Sequence, residues 1–323
     1  LRQFAAAALL AVGTLSGQLA AAAAPSFSDV YFFGDSLSDT GNTNKLFADI
    51  PPPFGPIEVP NMDDGPYAGG RFSNGPVWTE YLATGLGLAG AANPLHQGGN
   101  NFAYAGARTG GLPSFASPIP SLTYQTEVIW GMSTMAADPN ALYVVVAGGN
   151  DMRDARTAAP GTDALNKAYR QLAADAAIAN LKSSLGLLAQ RGATNVLISN
   201  LPDLGATPEA MFAEFGTPGI VAASTDATDR FNALMPQLRS YGASVGLNVS
   251  FLDMAAATAA VRANPAAYGI TNINLPCAGF AGADGGIGLP TTSCDASTFS
   301  DILHPSSRGH QIIADAAFQA LGV

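Results

Sequence analysis

Four short apolar runs punctuate the chain: Val30–Phe33, 141–149 (ALYVVVAGG), 193–202 (ATNVLISNLP) and 247–254 (LNVSFLDM). Each is nearly continuous in hydrophobicity and lacks the alternation of a half-exposed strand. Such runs predict strands of a parallel sheet covered on both faces. Between them, apolar positions recur at helical spacing over 73–87, 163–192, 226–244 and 306–322. Ser73 or Asn74 is available to cap the first of these helices, with Pro76 in its first turn. Gly192 closes the second, and Pro236 is expected to bend the third. Strands alternating with helices predict an α/β fold, a three-layer α/β/α sandwich on a mostly parallel sheet.

Three segments break this rhythm. Residues 50–71 and 108–121 are dense in Pro and Gly, and 265–300 contain both cysteines. Long loops in a compact α/β domain tend to carry function, above all at the C-terminal ends of strands. No internal repeat and no linker separates two cores, so residues 25–323 are expected to form one domain.

The N-terminus changes the picture of location. Arg2 precedes an uncharged apolar stretch and then small residues up to Pro25, the pattern of a secretory signal peptide over residues 1–24, with an n-region beginning at Leu1 that is read as incomplete. The uninterrupted apolar run from Phe4 to Val12 is short for a bilayer span. A retained membrane anchor is the competing reading. No later window is apolar enough for a membrane helix, so the mature chain is expected to be soluble, secreted or periplasmic.

Hydrophobic residues make up 48% of the chain and charged residues 12%, a globular composition. The net charge of −10, with 14 basic residues, argues against a nucleic-acid partner, which demands a Lys/Arg surface. Export gives meaning to the two cysteines. In an oxidising compartment Cys277 and Cys294 are most simply one disulfide, worth about 3 kcal/mol in the chain-entropy account. Two free thiols are the alternative. Two thiols without nearby histidines do not complete a metal site, and no cofactor is expected.

Candidate chemistry is limited by histidine, of which there are three. His96 lies in a polar loop and reads as a surface residue. His310 lies inside the last helix and reads as a packing or capping residue. His304 stands three positions after Asp301, a spacing that puts carboxylate and imidazole on the same side of one turn. Pro305 restricts His304 to extended geometry and is expected to open the following helix. Taken alone, the pair is equally a capping aspartate beside an incidental histidine.

The stretch GDSLSDTGN at the end of the first strand resembles the signature block of the GDSL, or SGNH, family of esterases and lipases. Three further blocks follow in that family's order: NNFAYAGARTG (100–110), VVVAGGNDMRD (144–154) and DILHP (301–305). The segment 69–83 (GGRFSNGPVWTEYLA) is similar to a block of the longer lipase-like members. Its Trp78 and Tyr81 are expected to be core residues and not a substrate platform. The resemblance covers residues 28 to 323. It implies a flavodoxin-like fold with five strands, Ser36 as nucleophile, His304 as base and Asp301 as its partner. It also implies an oxyanion hole from the Ser36 and Gly106 N–H groups and the Asn150 amide. The G-x-S-x-G elbow of α/β-hydrolases is absent, because Ser38 stands where its second glycine would be. Asp35, Asp39, Asn42 and Asp151 read as turn and cap residues that could order their loops.

The resemblance therefore implies a secreted serine esterase or lipase acting on small-molecule or lipid esters. Acyl transfer or lysophospholipase activity on the same fold is the alternative, and a non-catalytic binding protein is a remoter one. The position of Val323 suggests no room for an outer-membrane barrel. Segments 50–71 and 277–294 are expected to shape the mouth of the site.

Overall fold

The computed structural model describes residues 26–53, 55–56, 67–114, 117–277 and 292–323. The segment read as a signal peptide lies outside these residues, as do half of 50–71 and the interior of the 277–294 loop.

All four apolar runs form strands: β1 (Val30–Gly34), β2 (Leu142–Val146), β3 (Asn195–Ser199) and β4 (Asn248–Leu252). They pair in the order β1-β2-β3-β4, every pair parallel. Side chains alternate between two covered faces, which is why the runs are apolar without a break. Val30, Phe32, Val144, Leu197 and Leu252 pack against helices on one side. Phe33, Tyr143, Val145, Val196 and Ile198 pack on the other. The three-layer α/β/α architecture follows from that alternation.

The main helices are α1 (Asn42–Ala48), α2 (Trp78–Gly85), α3 (Gly149–Ala158), α4 (Ala164–Gln190), α5 (Pro208–Ala213), α6 (Ile220–Ser244), α7 (Met254–Ala263) and α8 (Ser307–Leu321). Helices α2 and α8 cover one face of the sheet, α4 and α6 the other. Asp163 caps α4 by accepting from the Leu165 and Asn166 N–H groups, and Ser306 caps α8 by accepting from Gly309.

Three expectations are corrected. Among the described residues the central sheet has four strands where five were expected. The remaining strands, β5 (Asn272–Pro276) and β6 (Ser297–Phe299), form a separate parallel pair. Only the last residue of β5, Pro276, is buried, and that proline lacks a ladder donor, so β5 is unsuited to a buried sheet. Helix α2 starts at Trp78, not at Ser73 or Asn74, whose side chains bind elsewhere: Ser73 Oγ donates to Pro305 O at 3.0 Å, and Asn74 Oδ1 accepts from Ser307 N at 2.9 Å. Pro305 precedes the cap of α8 and does not open the helix.

His310 points into the core from α8. It is fully buried, and neither ring nitrogen has a hydrogen-bond partner among the described residues. Burial, aided by the charge of nearby His304, lowers its pKa from 6.5 to about 3. A base depressed in the folded state contributes stability above its unfolded pKa, and that contribution is lost as pH falls from about 6.5 toward 3. His310→Leu should therefore flatten the fall of Tm with pH across that window. A Tm–pH curve as steep as that of the unmodified protein would contradict this account.

Candidate active site

Strand β1 ends at Gly34, whose N–H donates to Gln125 Oε1 and whose carbonyl accepts from Gln125 Nε2, both at 2.8 Å. The chain then turns sharply. Asp35 O accepts from the Ser38 and Asp39 N–H groups at 3.0 Å, and Asp35 Oδ1 accepts from Leu37 N at 3.1 Å. Asp35 is thus the turn residue expected, and burial pushes its carboxyl up to about 6 against the pull of the Leu37 N–H and the charge of His304. Ser36 sits on this turn at the rim of a cavity.

The far end of the chain supplies its partners. His304 Nε2 lies 2.9 Å from Ser36 Oγ, and His304 Nδ1 lies 2.6 Å from Asp301 Oδ2. Asp301 Oδ1 accepts from the Leu303 and His304 N–H groups at 2.7 and 2.6 Å. The two readings of Asp301 are therefore not exclusive: one oxygen caps the turn while the other holds the imidazole. Burial raises this carboxyl, but the charge of His304 and the bonds from His304 and Leu303 outweigh it, leaving a pKa of about 2.

The loop carrying His304 is tied on several sides. Ser300 N donates to His304 O and Ser306 N to Thr298 O, both at 2.9 Å. The Ser73 and Asn74 bonds described above tie it to the segment before α2. The Phe72 ring lies 5.3 Å from the imidazole. The Cys277–Cys294 disulfide anchors the neighbouring chain, with Cys277 N donating to Phe299 O at 2.9 Å.

Asn150 lines the same cavity as Ser36 and His304, and it is bonded to the Gly106 loop through Ala107 O. Gly106 has φ +79°, a conformation that favours glycine, and an added Cβ would meet no atom closer than 3.9 Å. Conformation, not crowding, demands the glycine. Two buried carboxylates strap its loop. Asp39 Oδ2 accepts from Ala105 N at 3.0 Å, and Asp151 Oδ2 from Thr109 N at 2.9 Å. The Ser36 and Gly106 N–H groups have no protein acceptor among the described residues. Gly148, at φ +123°, turns the chain from β2 into α3 and places Asn150 in the first turn of that helix. Asn150 Nδ2 donates one N–H to Ala107 O at 2.9 Å, and the other has no acceptor among the described residues.

A cavity of about 490 Å³ runs from Ser36 and His304 beneath the C-terminal ends of the strands to Arg262. Its walls are mainly apolar, with Leu37, Leu201, Leu204, Val261, Ile270 and Ile312 among them. An ester carbonyl against Ser36 would have its apolar part in this cleft.

Other candidates fall away from the site. His96 is exposed. Ser38 is buried and accepts from Trp78 Nε1 at 3.2 Å, and Trp78 is itself core. No helix among the described residues is long and apolar enough to cross a membrane.

A strand-end serine, a histidine–aspartate pair and unpaired amides, all at one end of a parallel sheet, define a class of hydrolase known for acyl chemistry. The chain belongs to the family described as GDSL-like lipase/acylhydrolase, whose match spans residues 30–317. It is 32% identical to Esterase EstA of Pseudomonas aeruginosa over 99% of this chain and 50% of that protein. It is 29% identical to phosphatidylcholine-sterol acyltransferase of Aeromonas hydrophila over 92% of this chain and 80% of that one. Among solved structures, an extracellular lipase from Streptomyces rimosus superposes with a TM-score of 0.41 at 17% identity, covering 90% of this chain and 99% of that one. The chain spans about half the length of EstA and of the other leading curated relatives, so its end at Val323 has no bearing on further domains.

Sequence reasoning missed Tyr67 and Gln125. The Tyr67 hydroxyl donates to Asp301 Oδ2 at 2.8 Å, across 234 positions of sequence, and is the described part of segment 50–71 that reaches the site. Its placement within the Pro/Gly-rich segment 50–71 was the one available signal. Because Oδ2 serves both Tyr67 and His304, Tyr67→Phe should strengthen the remaining bond. The downfield His304 Nδ1–H proton in the NMR spectrum should then move further downfield. An unchanged resonance would mean that the two donors do not share this oxygen in solution.

Proposed function

We propose that the chain is a secreted serine esterase that hydrolyses carboxylic esters through an acyl-enzyme on Ser36. The observation that carries this reading is the continuous line from Asp301 through His304 to Ser36 Oγ, facing two unpaired backbone amides. Ser36 Oγ attacks the ester carbonyl carbon as His304 Nε2 takes the hydroxyl proton. The carbonyl oxygen gains the negative charge, and the Ser36 and Gly106 N–H groups and the free Asn150 N–H donate to it. Collapse breaks the bond to the leaving alkoxide, which takes the proton from His304. Water then attacks the acyl-enzyme, giving one proton to His304, and that proton returns to Ser36 Oγ as the acid leaves. Asp301, ionised down to a pKa of about 2, holds the imidazole and stabilises the imidazolium throughout.

The apolar cleft suits substrates with an apolar acyl or alcohol part. Secretion is supported by the signal-like pattern of residues 1–24 and by the disulfide, which persists in oxidising compartments. Residues 25–323 would then be a single catalytic domain. The named acyltransferase relative favours a second outcome for the same acyl-enzyme, transfer to an alcohol in place of water.

Ser36→Ala should lower kcat for p-nitrophenyl esters by at least ~10⁴-fold with the fold intact. Near-normal turnover by a folded variant would sink the assignment. Adding an acceptor alcohol to the unmodified protein separates the two fates of the acyl group: a new ester signals transfer, free acid alone signals hydrolysis.

A further inference from the structure

Asn150 is held at both ends of its amide. Its Nδ2 donates to Ala107 O, and its Oδ1 accepts from Arg153 Nη1 at 3.2 Å. Arg153 lies one turn along α3 and is itself gripped by Glu209 of α5. Arg153 Nε donates to Glu209 Oε2 at 3.1 Å, and Arg153 Nη2 donates to Oε1. Arg156 Nη2 also donates to Glu209 Oε2, and its Nη1 donates to Ser224 Oγ at 2.8 Å. Burial raises the Glu209 carboxyl, but the two guanidinium groups overcome this and hold it below the usual carboxylate range. The main chain of the same residue reaches the other half of the site: Glu209 N donates to Ile302 O at 2.7 Å, beside Asp301. Glu209 therefore touches the holder of the amide through its side chain and the acid–base loop through its backbone.

We propose that Arg153 and Glu209 are positioning residues that orient and polarise the Asn150 amide as an oxyanion donor, in register with the His304 loop. This rests on the mechanism proposed above. The physics has two parts. An asparagine amide swings about its terminal torsion over a broad range unless both ends are bonded, and Arg153 supplies the second bond. The guanidinium charge on Oδ1 also draws electron density from the amide, which strengthens the free N–H as a donor along a hydrogen-bonded chain. Glu209 keeps Arg153 from turning its charge elsewhere, because its two oxygens take both sides of the planar fork. A lysine could not make the bonds to Glu209 and Asn150 in the same geometry.

The test is a double-mutant cycle in kcat. Arg153→Met is the primary variant, since Glu209 keeps Arg156 as a partner and no buried carboxylate is left unpaired. It should lower kcat about tenfold with KM little changed, because the lost interaction acts in the transition state. Affinity for a boronic acid, which mimics the tetrahedral state, should fall about as much, while affinity for the product acid should not. In an Asn150→Ala background the same substitution should cost less than about twofold. Arg153→Lys should stay close to Arg153→Met, and Glu209→Gln, which keeps the backbone bond to Ile302, should copy it. An equal loss in both backgrounds, or no loss in either, overturns the positioning role and leaves the donor role of Asn150 standing. A silent Asn150→Ala would overturn both.

Discussion

The Asp301 carboxylate is the constraint on which the site depends. Four donors converge on it: two backbone N–H groups on Oδ1, and the His304 ring and Tyr67 hydroxyl on Oδ2. A buried carboxylate left unpaired would take up a proton, yet the charge of His304 and the bonds from His304 and Leu303 keep its pKa at about 2. The same bonds bend residues 301–304 into a turn that aims the imidazole at Ser36. Structure and chemistry are thus not separable at this residue. Removing its charge would release the turn and the ring together.

The fold supplies the rest by bringing strand ends into register. Parallel pairing of β1 with β2 sets Gly34 opposite Val146, so Ser36 and Asn150 leave adjacent strands at the same edge of the sheet. Between them the Gly106 loop is strapped by Asp39 from one side and Asp151 from the other. Each strap comes from a segment that already carries a site residue, Ser36 or Asn150. Under the proposed mechanism, oxyanion donors held this way would need little reorganisation as charge develops, which is the condition under which such donors act most strongly.

Much of this was legible in the sequence, and the reason is local. Continuous apolar runs between helical patterns point to strands covered on both faces, and all four runs are strands: β1, β2 and β3 are almost wholly buried, while β4, at the edge of the sheet, is only partly so. The strand β5 was not legible, because NINLP is only partly buried and has no continuous apolar run. Helix α3 was hidden for the opposite reason. Its sequence, GNDMRDARTA, is polar and begins like a turn, and what makes it a helix is Gly148 and packing against α6. The residues that brace the site were the least visible. Tyr67, Gln125 and Glu209 act across 234, 91 and 56 positions, on partners that only the folded chain brings near. Asp39 and Asp151 were legible as loop-ordering residues, but their shared target, the glycine loop, was not.

The central claim is that Ser36 is the atom on which the acyl group is carried. Its most direct test is mass spectrometry of the folded protein after treatment with a p-nitrophenyl alkylphosphonate, which leaves a stable adduct on an activated serine. The account predicts one adduct per chain, on the peptide containing Ser36, and none after His304→Ala. An adduct on another serine, or labelling that survives His304→Ala undiminished, would contradict it.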